Sequence, residues 1–300
     1  MTMTQLQSAS PSVSAAAKAP GYWRSVGQRL MRDRVGIASA LVLLAIVVSA
    51  LAAPLIAPHD PNSGSVMTRL SPIGTPGHLL GTDATGRDIL SRLIWGGRLS
   101  LLSGITPVVL ATLIGGTLGI IAGMSGRLVN GIIMRITDIF FAFPSILLAV
   151  AISGVLGNGL GNTLVSLTVV FVPQVLRVAE SATVQIARQD YVDAARATTA
   201  SRLLIMTSQV LPNVLSPILV FATSLIAVSL VVAAGLNFIG LGVAPPAAEW
   251  GSMLNELRDA IYINPTLSIL PGVMIVATSV CFNLLSDSLG SAMNIRETDK

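Results

Sequence analysis

Residues 191–213 read Tyr191-Val-Asp-Ala-Ala-Arg-Ala-Thr-Thr-Ala-Ser-Arg-Leu-Leu-Ile-Met-Thr-Ser-Gln-Val-Leu-Pro-Asn213 and form a polar interruption between two long apolar segments. Its alanines favour a helix, whereas Pro212 permits a continuous helix only with a kink or a new start. The stretch carries no evident catalytic residue. It predicts a short helix that docks onto a partner able to supply energy.

The composition places the rest of the chain in a membrane. Its mean hydropathy is +0.77 and only 11% of its 300 residues are charged, whereas a soluble domain carries about 25%. The net charge of +4 does not indicate nucleic-acid binding, because the arginines are scattered at segment ends without a basic, aromatic-rich patch. The single cysteine, Cys281, excludes an intramolecular disulfide and a cysteine-based metal cluster.

The apolar runs predict six transmembrane helices, because each is long enough to cross a bilayer of about 30 Å. Pro144 and Pro173 fall inside these spans, where a proline either breaks a helix around a cavity or merely kinks it. The Gly115-x-x-x-Gly119 spacing predicts a close approach to another helix. The predicted spans are about 37–56, 100–124, 132–156, 160–182, 214–236 and 266–287.

The distribution of basic residues predicts the orientation. Arginines precede the first span and surround the polar interruption, and basic residues near a span stay in the cytoplasm. Both termini are therefore expected in the cytoplasm. The expected divisions are a tail of residues 1–34, disordered up to about residue 20, a membrane domain of residues 35–292 with an external segment 57–99 and a cytoplasmic loop 183–213, and a second tail of residues 293–300.

Two groups of charged residues have a structural and a functional explanation. Arg135 and Asp138 lie three positions apart in the third span and are expected to neutralise each other as a structural pair. A charge inside a membrane can also mark a functional site. Asp88 and Arg92 lie four positions apart and are expected to pair, although with Arg87 they are also candidates for ligand binding.

Enzymatic and metal-binding functions have little support in the sequence. The two histidines, His59 and His78, are 19 positions apart and do not form a helical zinc motif. The phosphate-binding pattern G-x-x-x-x-G-K-[ST] is missing, so the chain is not expected to hydrolyse ATP itself. No metal, cofactor or catalytic residue is predicted. Passage of a solute across the bilayer remains as the function, with an ATPase-independent transporter or a membrane scaffold as the rival explanations.

The polar interruption resembles the cytoplasmic signature of inner-membrane permeases from binding-protein-dependent ABC importers. That signature is Glu-Ala-Ala, three residues, Gly, nine residues, Ile-x-Leu-Pro. Here Asp193-Ala194-Ala195 aligns with its start and Leu211-Pro212 with its end. The spacing is kept over twenty positions, while Asp193, Thr199 and Gln209 replace Glu, Gly and Ile.

Further motifs are similar to the C-type permease subunit of dipeptide, oligopeptide, glutathione and nickel importers. The resemblance covers roughly residues 30–292. Its motifs are Gly81-Thr-Asp-x-x-Gly-Arg-Asp-x-x-Ser-Arg92, Gly97-Arg98-Leu-Ser-Leu101, Ile133-Met-Arg-Ile-x-Asp138, Gly240-Leu-Gly-Val-x-Pro-Pro-x-x-Glu-Trp-Gly251, and Phe282-Asn283-Leu284 with Asp287.

The resemblance implies an all-α type I permease fold with a cytoplasmic coupling helix, located in the inner membrane of a bacterium. It also implies a B-type permease partner, two cytoplasmic ATPases that hold ATP and Mg²⁺, an external solute-binding protein and surrounding lipid, without nucleic acid. Di- or oligopeptides are the expected substrates, with nickel or glutathione as alternatives. The implied ATPase-coupling residues are Asp193, Ala194, Ala195, Arg196, Thr199, Ser201 and Pro212, and those of the external mouth are Arg87, Arg98, Glu249 and Trp250.

Overall fold

The computed structural model describes residues 22–198 and 201–293, which fold into helices without a β-strand. The predicted all-α fold is confirmed. The first 20 residues, for which disorder is expected, and the tail of residues 294–300 lie outside the described ranges. The α-helices are α1 (Tyr22–Leu30), α2 (Arg34–Leu51), α3 (Ala53–Ile56), α4 (Ile89–Met124), α5 (Arg127–Phe141), α6 (Ser145–Leu156), α7 (Leu160–Ala187), α8 (Asp190–Ala197), α9 (Arg202–Ile205), α10 (Leu211–Phe238), α11 (Trp250–Glu256) and α12 (Pro265–Met293).

Five of the described helical segments are long and apolar enough to cross a membrane, and the bent pair α5–α6 supplies a sixth. The third span is broken next to Pro144, which is one of the two outcomes that the sequence left open. Its two halves meet at 85°, between Phe141 and Ser145. Pro144 disfavours a helical conformation at the residue before it, which explains why α5 stops there and α6 begins with a new direction.

The membrane helices also extend beyond the predicted spans. α4 begins at Ile89 instead of about residue 100, because Asp88 caps its first turn by accepting a hydrogen bond from the Ser91 backbone N–H. α7 continues to Ala187 and α12 to Met293. The apolar runs therefore marked the parts of these helices that suit a bilayer, while polar turns extend them at the ends.

Helices α4 and α7 pack at close range through a row of glycines. A Cβ atom added at Gly115 or Gly119 would lie 2.5 Å from the carbonyl oxygen of Val172 or Leu176, respectively. At Gly123 an added Cβ would lie 2.6 Å from the Cβ of Thr183. Only glycine allows so close an approach. The close contact predicted from the Gly115–Gly119 spacing is thus confirmed, and α7 is the neighbouring helix.

A π-helical turn, Met206–Val210, joins α9 to α10. Pro212 follows within the first turn of α10, where a missing backbone N–H is tolerated. A proline in a longer helix would collide with the carbonyl four residues earlier, and a wider turn relieves that collision. The expected kink or new start at Pro212 therefore takes the form of a π turn just before it.

The bundle has two distinguishable ends. At the first, which we call the α8 end, the start of α2 meets the end of α12: a Cβ on Gly36 would lie 2.8 Å from Ser288. Val26 of α1 joins the same cluster as Ala292 and Met293. At the other, the loop end, the loops of residues 57–88 and 239–249 meet the starts of α4 and α7. Residues 22 and 293 consequently lie at the same end.

Candidate functional site

The coupling segment predicted from the sequence forms α8, which projects from the α8 end. Val192 anchors this helix because its side chain is fully buried in the main apolar cluster. Ala195 packs against the same cluster, while Tyr191, Asp193 and Ala194 are exposed. The helix therefore has one face attached to the bundle and one face available for contact.

The other predicted coupling residues surround α8. Arg196 donates a hydrogen bond to Asp193 at 3.0 Å along the exposed face. Ser201 caps α9 by accepting a hydrogen bond from the Leu204 N–H. Pro212 is exposed beyond the π turn. Thr199 lies outside the described residues.

The loop end is held together by a buried ion network. The Arg92 side chain is fully buried and donates to Glu256 at 2.8 Å and to the carbonyl oxygens of Pro61 and Pro246 at 3.2 Å. Arg87 donates to Asp83 and to Glu256, both at 2.6 Å. Two arginines and two carboxylates therefore join the loop of residues 57–88 to α4 and α11. Burial alone would raise the pKa of Asp83, but hydrogen bonds from the Arg87 and Thr85 N–H groups and the charge of Arg87 outweigh it and hold that pKa below its usual value.

The predicted pairing of Asp88 with Arg92 is wrong. The Asp88 carboxylate accepts hydrogen bonds from the Ser91 N–H and hydroxyl at the start of α4, and it contacts His78 at 3.0 Å. As the capping residue, Asp88 is turned back over the first turn, so it does not reach along the helix to Arg92. Burial opposes ionisation of Asp88, yet the Ser91 and His78 contacts lower its pKa overall.

Two histidines distant in sequence meet at Asp88. The ring centroids of His59 and His78 are 4.8 Å apart, and the ligating atoms of the two rings and the carboxylate all lie within 4.8 Å of one another. Two histidines and an aspartate suit a divalent cation. Both carboxylate oxygens already accept hydrogen bonds from Ser91 or His78, however. We therefore assign the cluster to joining the loop of residues 57–88 to α4.

Two of the four residues expected at the external mouth are fully buried inside the protein. Glu249 and Trp250 are both 1% exposed, so their side chains line no open mouth. Glu249 accepts hydrogen bonds from the Ser100 hydroxyl at 2.7 Å and the Ser252 N–H at 2.8 Å. Burial raises its pKa, against the effect of these hydrogen bonds. The Trp250 indole donates to the Leu93 carbonyl at 2.9 Å.

Arg87 and Arg98 complete that set. Arg87 is 8% exposed and belongs to the ion network already described. Arg98 donates to the carbonyls of Ala50 and Leu51 at the end of α2, both at 2.6 Å, and stacks on Trp95 at 4.5 Å. It also lines a cavity of about 710 Å³ beside His59. Of the four predicted mouth residues, Arg98 is thus the one that borders an open space.

The predicted pair between Arg135 and Asp138 is also wrong. Asp138 faces α7 and accepts a hydrogen bond from Arg177 at 2.7 Å. Arg135, three positions away on α5, is exposed and forms no ion pair within the described residues. Sequence spacing suggested a partner on the same helix. The partner on α7 was not recognised, since it is 39 residues away in the chain.

Comparison with known proteins identifies the family. Residues 115–295 match the family described as binding-protein-dependent transport system inner membrane component. Residues 21–72 match the N-terminal transmembrane domain of oligopeptide transport permease C.

Individual proteins agree with this assignment. The chain is 38% identical over 272 residues to a glutathione transport system permease protein of Pectobacterium atrosepticum, covering 91% of this chain and 90% of that protein. It is 39% identical over 289 residues to a di/tripeptide transport system permease protein of Pseudomonas aeruginosa, covering 95% and 94%. Among solved structures, an inward-facing MetNI methionine ABC transporter matches with a TM-score of 0.58 and 21% identity, covering 68% of this chain and 97% of that one.

The solved structure supports the fold, and the matched families and relatives support the assignment of the chain. The apolar helices of this chain agree with a protein that crosses the membrane several times. The ABC importer type I permease fold is thus confirmed. The chain belongs to the family of inner-membrane permease components of binding-protein-dependent transport systems.

Proposed function

We propose that this chain is the C-type permease subunit of an ATP-driven importer of di- or oligopeptides. The observation that carries the proposal is α8, which is anchored through Val192 and presents exposed side chains at one end of the bundle. Relatives named for transport of di- and tripeptides support the substrate class. The family to which the chain belongs is a membrane component without an ATPase site.

The proposed complex contains this chain, a B-type permease, two ATPases that bind ATP and Mg²⁺, and an external binding protein. Asp193, Ala194 and Arg196 would contact one ATPase, and Ala195 would hold α8 against the bundle. Thr199, Ser201 and Pro212 would fix how α8 joins α10. The exposed, polar side chains of α8 support this role. Closure of the ATPases on ATP would then move the two permeases as rigid bodies between inward- and outward-facing states.

The coupling role is tested by enlarging the exposed face of α8. Ala194→Arg adds a long charged side chain where the structure shows an exposed methyl group, so the bundle itself should not be disturbed. Loss of one well-packed interface contact costs about 1–3 kcal/mol or more, and we expect peptide uptake to fall at least about tenfold. Uptake and peptide-stimulated ATP hydrolysis are measured in proteoliposomes that contain the whole complex.

Gly126→Arg is the matched control. It adds the same side chain in the turn between α4 and α5, where Gly126 has a φ of −67° and open space around an added Cβ. We expect this variant to transport like the unsubstituted protein. Wild-type uptake by Ala194→Arg would contradict the coupling role of α8. Uptake without any ATPase subunit would favour a secondary transporter instead.

Glutathione is the second candidate substrate, because a relative with 38% identity over most of the chain is named for it. The external binding protein of the proposed complex provides the test. Calorimetric titration with dipeptides, longer peptides and glutathione should give the tightest binding for a peptide. Tight binding of glutathione alone would assign the importer to that substrate.

A further inference from the structure

One face of α7 carries a continuous row of polar side chains. Within α7 the row consists of Gln174, Arg177, Ser181 and Gln185, which recur every three or four positions and therefore lie above one another on the helix. Arg188 continues this spacing immediately after the helix ends at Ala187. All five are at least partly exposed. The opposite face packs against α4 through the close approaches at Gly115 and Gly119. We refer to these five residues as the polar row.

The polar row is costly if it faces lipid. α7 is one of the five membrane-length segments, yet it has the lowest hydropathy of them. Polar and charged side chains within a span almost always face a water-filled cavity or other protein, because hydrocarbon cannot satisfy their hydrogen bonds. The exposed surface of the row must therefore face water or a protein neighbour.

The centre of the row is the ion pair between Arg177 and Asp138. The two side chains are 50% and 55% exposed and are joined at 2.7 Å. Arg177 is ten residues from the end of α7 at Ala187, or about 15 Å along the helix. Its guanidinium also lies over the Phe141 ring at 5.0 Å. An ion pair this exposed contributes little to stability, so its partners can be exchanged at small cost.

Hollows flank the ion pair on both sides. Toward the α8 end, a hollow of about 450 Å³ is lined by Arg177, Ser181, Gln185 and Pro217. A smaller hollow of about 140 Å³, lined by Phe141, Gln174 and several apolar side chains, lies toward the loop end. The larger volume falls in the range of small-molecule sites, about 300–1,000 Å³. The surface around the pair is thus concave, unlike the flat face expected for simple helix packing.

We propose that the polar row lines the substrate path and that Arg177 and Asp138 exchange their mutual ion pair for the two charged ends of a passing peptide. Arg177 pairs with the carboxylate and Asp138 with the ammonium group. Apolar peptide side chains meet Phe141 and the neighbouring phenylalanines. This inference rests on the proposed function, because it takes a zwitterionic peptide as the substrate.

Accessibility of the row to water is the first test. Cys281→Ala removes the native thiol, and Ser181→Cys then places a single thiol in the row. Val276→Cys, on α12 at a position 61% exposed, is the control on an apolar surface. In proteoliposomes with the whole complex, we expect a charged methanethiosulfonate reagent to label Ser181→Cys at least about tenfold faster, and excess peptide with the binding protein to slow that labelling. Equal labelling rates at the two positions would overturn the proposal. A disulfide between the thiol of Ser181→Cys and a cysteine of the B-type permease would also overturn it, because the row would then face a protein neighbour.

The role of the ion pair is the second test. We expect Arg177→Gln to lower peptide uptake about tenfold, because one charge-assisted hydrogen bond to the substrate is lost. Arg177→Lys keeps the charge and should retain uptake within about threefold of the unsubstituted complex, by the same reasoning. Thermal stability and the amount of co-purified B-type permease should not change, because the pair is exposed.

The outcomes separate this inference from the proposed function. Absence of peptide uptake by the unsubstituted complex contradicts the proposed function. Normal uptake by that complex and by Arg177→Gln contradicts only the inference. Loss of the B-type permease from the purified Arg177→Gln complex would assign Arg177 to the subunit interface and would likewise overturn it.

Discussion

At the scale of single residues, the charged motifs of this chain mainly build the loop end. The fully buried Arg92 is neutralised by Glu256, which is 164 residues away in sequence, and it also binds carbonyl groups of two separate loops. Arg87 connects the same glutamate to Asp83. An isolated buried charge would be very costly, so each member of this network depends on the others.

Acid should weaken the loop end. Asp83 and Asp88 have folded-state pKa values below their usual ones. Their contribution to stability is therefore complete above the unfolded value of about 3.9 and is lost as the pH falls through the lower folded values. We expect the Tm of the detergent-solubilised protein to fall steeply below about pH 4. The Tm is measured from pH 7 to pH 2.5.

Asp83→Asn identifies the source of this loss. The variant leaves Arg87 and Arg92 with less compensating charge, which should cost about 3–5 kcal/mol at neutral pH. Its Tm should then depend less on pH in the acid range, because one of the two responsible carboxyl groups is gone. A Tm profile parallel to that of the unsubstituted protein would show that Asp83 does not contribute to the acid response.

The important charged residues could be recognised in the sequence, but the partners of Arg92 and Asp138 could not. Patterns such as Asp88-x-x-x-Arg92 and Arg135-x-x-Asp138 indicate neighbours on one helix. The actual partners of Arg92 and Asp138 lie on other elements, and only the fold brings them together. The contact between His59 and His78 was not predicted either, because these residues are distant in the sequence and only the fold brings them together.

At the scale of secondary structure, the α4–α7 contact is the tightest packing feature that the sequence predicted. The glycines at positions 115, 119 and 123 repeat every four residues and present a flat strip to α7. Fold class and the approximate membrane segments were also predictable, because apolar runs of sufficient length are strong signals. The 85° bend between α5 and α6 was not, since a proline in a span indicates a break without giving its angle.

Two alanine substitutions on α4 test this packing. Gly119→Ala places a methyl group 2.5 Å from the Leu176 carbonyl oxygen, so the helices must separate. We expect a loss of about 1–3 kcal/mol, seen as a lower Tm in detergent. Gly116→Ala is the matched control, because its nearest neighbour, Ile218 Cδ1, is 4.0 Å away.

The control should be neutral or stabilising by up to about 1 kcal/mol, because alanine is the better helix former. A similar Tm decrease for both variants would mean that the loss does not come from the close approach of α4 to α7. An unchanged Tm for Gly119→Ala would contradict the close approach of the two helices.

At the scale of the whole molecule, the described chain has residues 22 and 293 at one end and its long loops at the other. This arrangement agrees with an even number of membrane crossings. Large apolar side chains such as Ile132, Ile139 and Ile146 are exposed along α5 and α6. Together these features describe a subunit that needs lipid and other chains around it.

Thiol labelling can establish which end faces the cytoplasm. In a Cys281→Ala background, Ser63→Cys marks the loop end and Ala197→Cys marks α8, both at exposed positions. Basic residues near the α8 end should retain that end in the cytoplasm. We expect a membrane-impermeant maleimide to label Ser63→Cys in spheroplasts and Ala197→Cys only after permeabilisation. The reverse pattern would refute the proposed orientation.

The glycine row of α4 has a mechanical consequence. At Gly115 and Gly119 the backbone of α4 lies against carbonyl oxygens of α7, and at Gly123 it lies against the Thr183 side chain. Sliding one helix past the other would make these atoms collide, so the pair resists shear. α7 leads directly into α8, and α4 begins at the ion network of the loop end. The two helices, about 54 Å and about 42 Å long, thus form a stiff pair that runs from one end of the bundle to the other. A displacement of α8 is therefore expected to be transmitted along these two helices to the loop end.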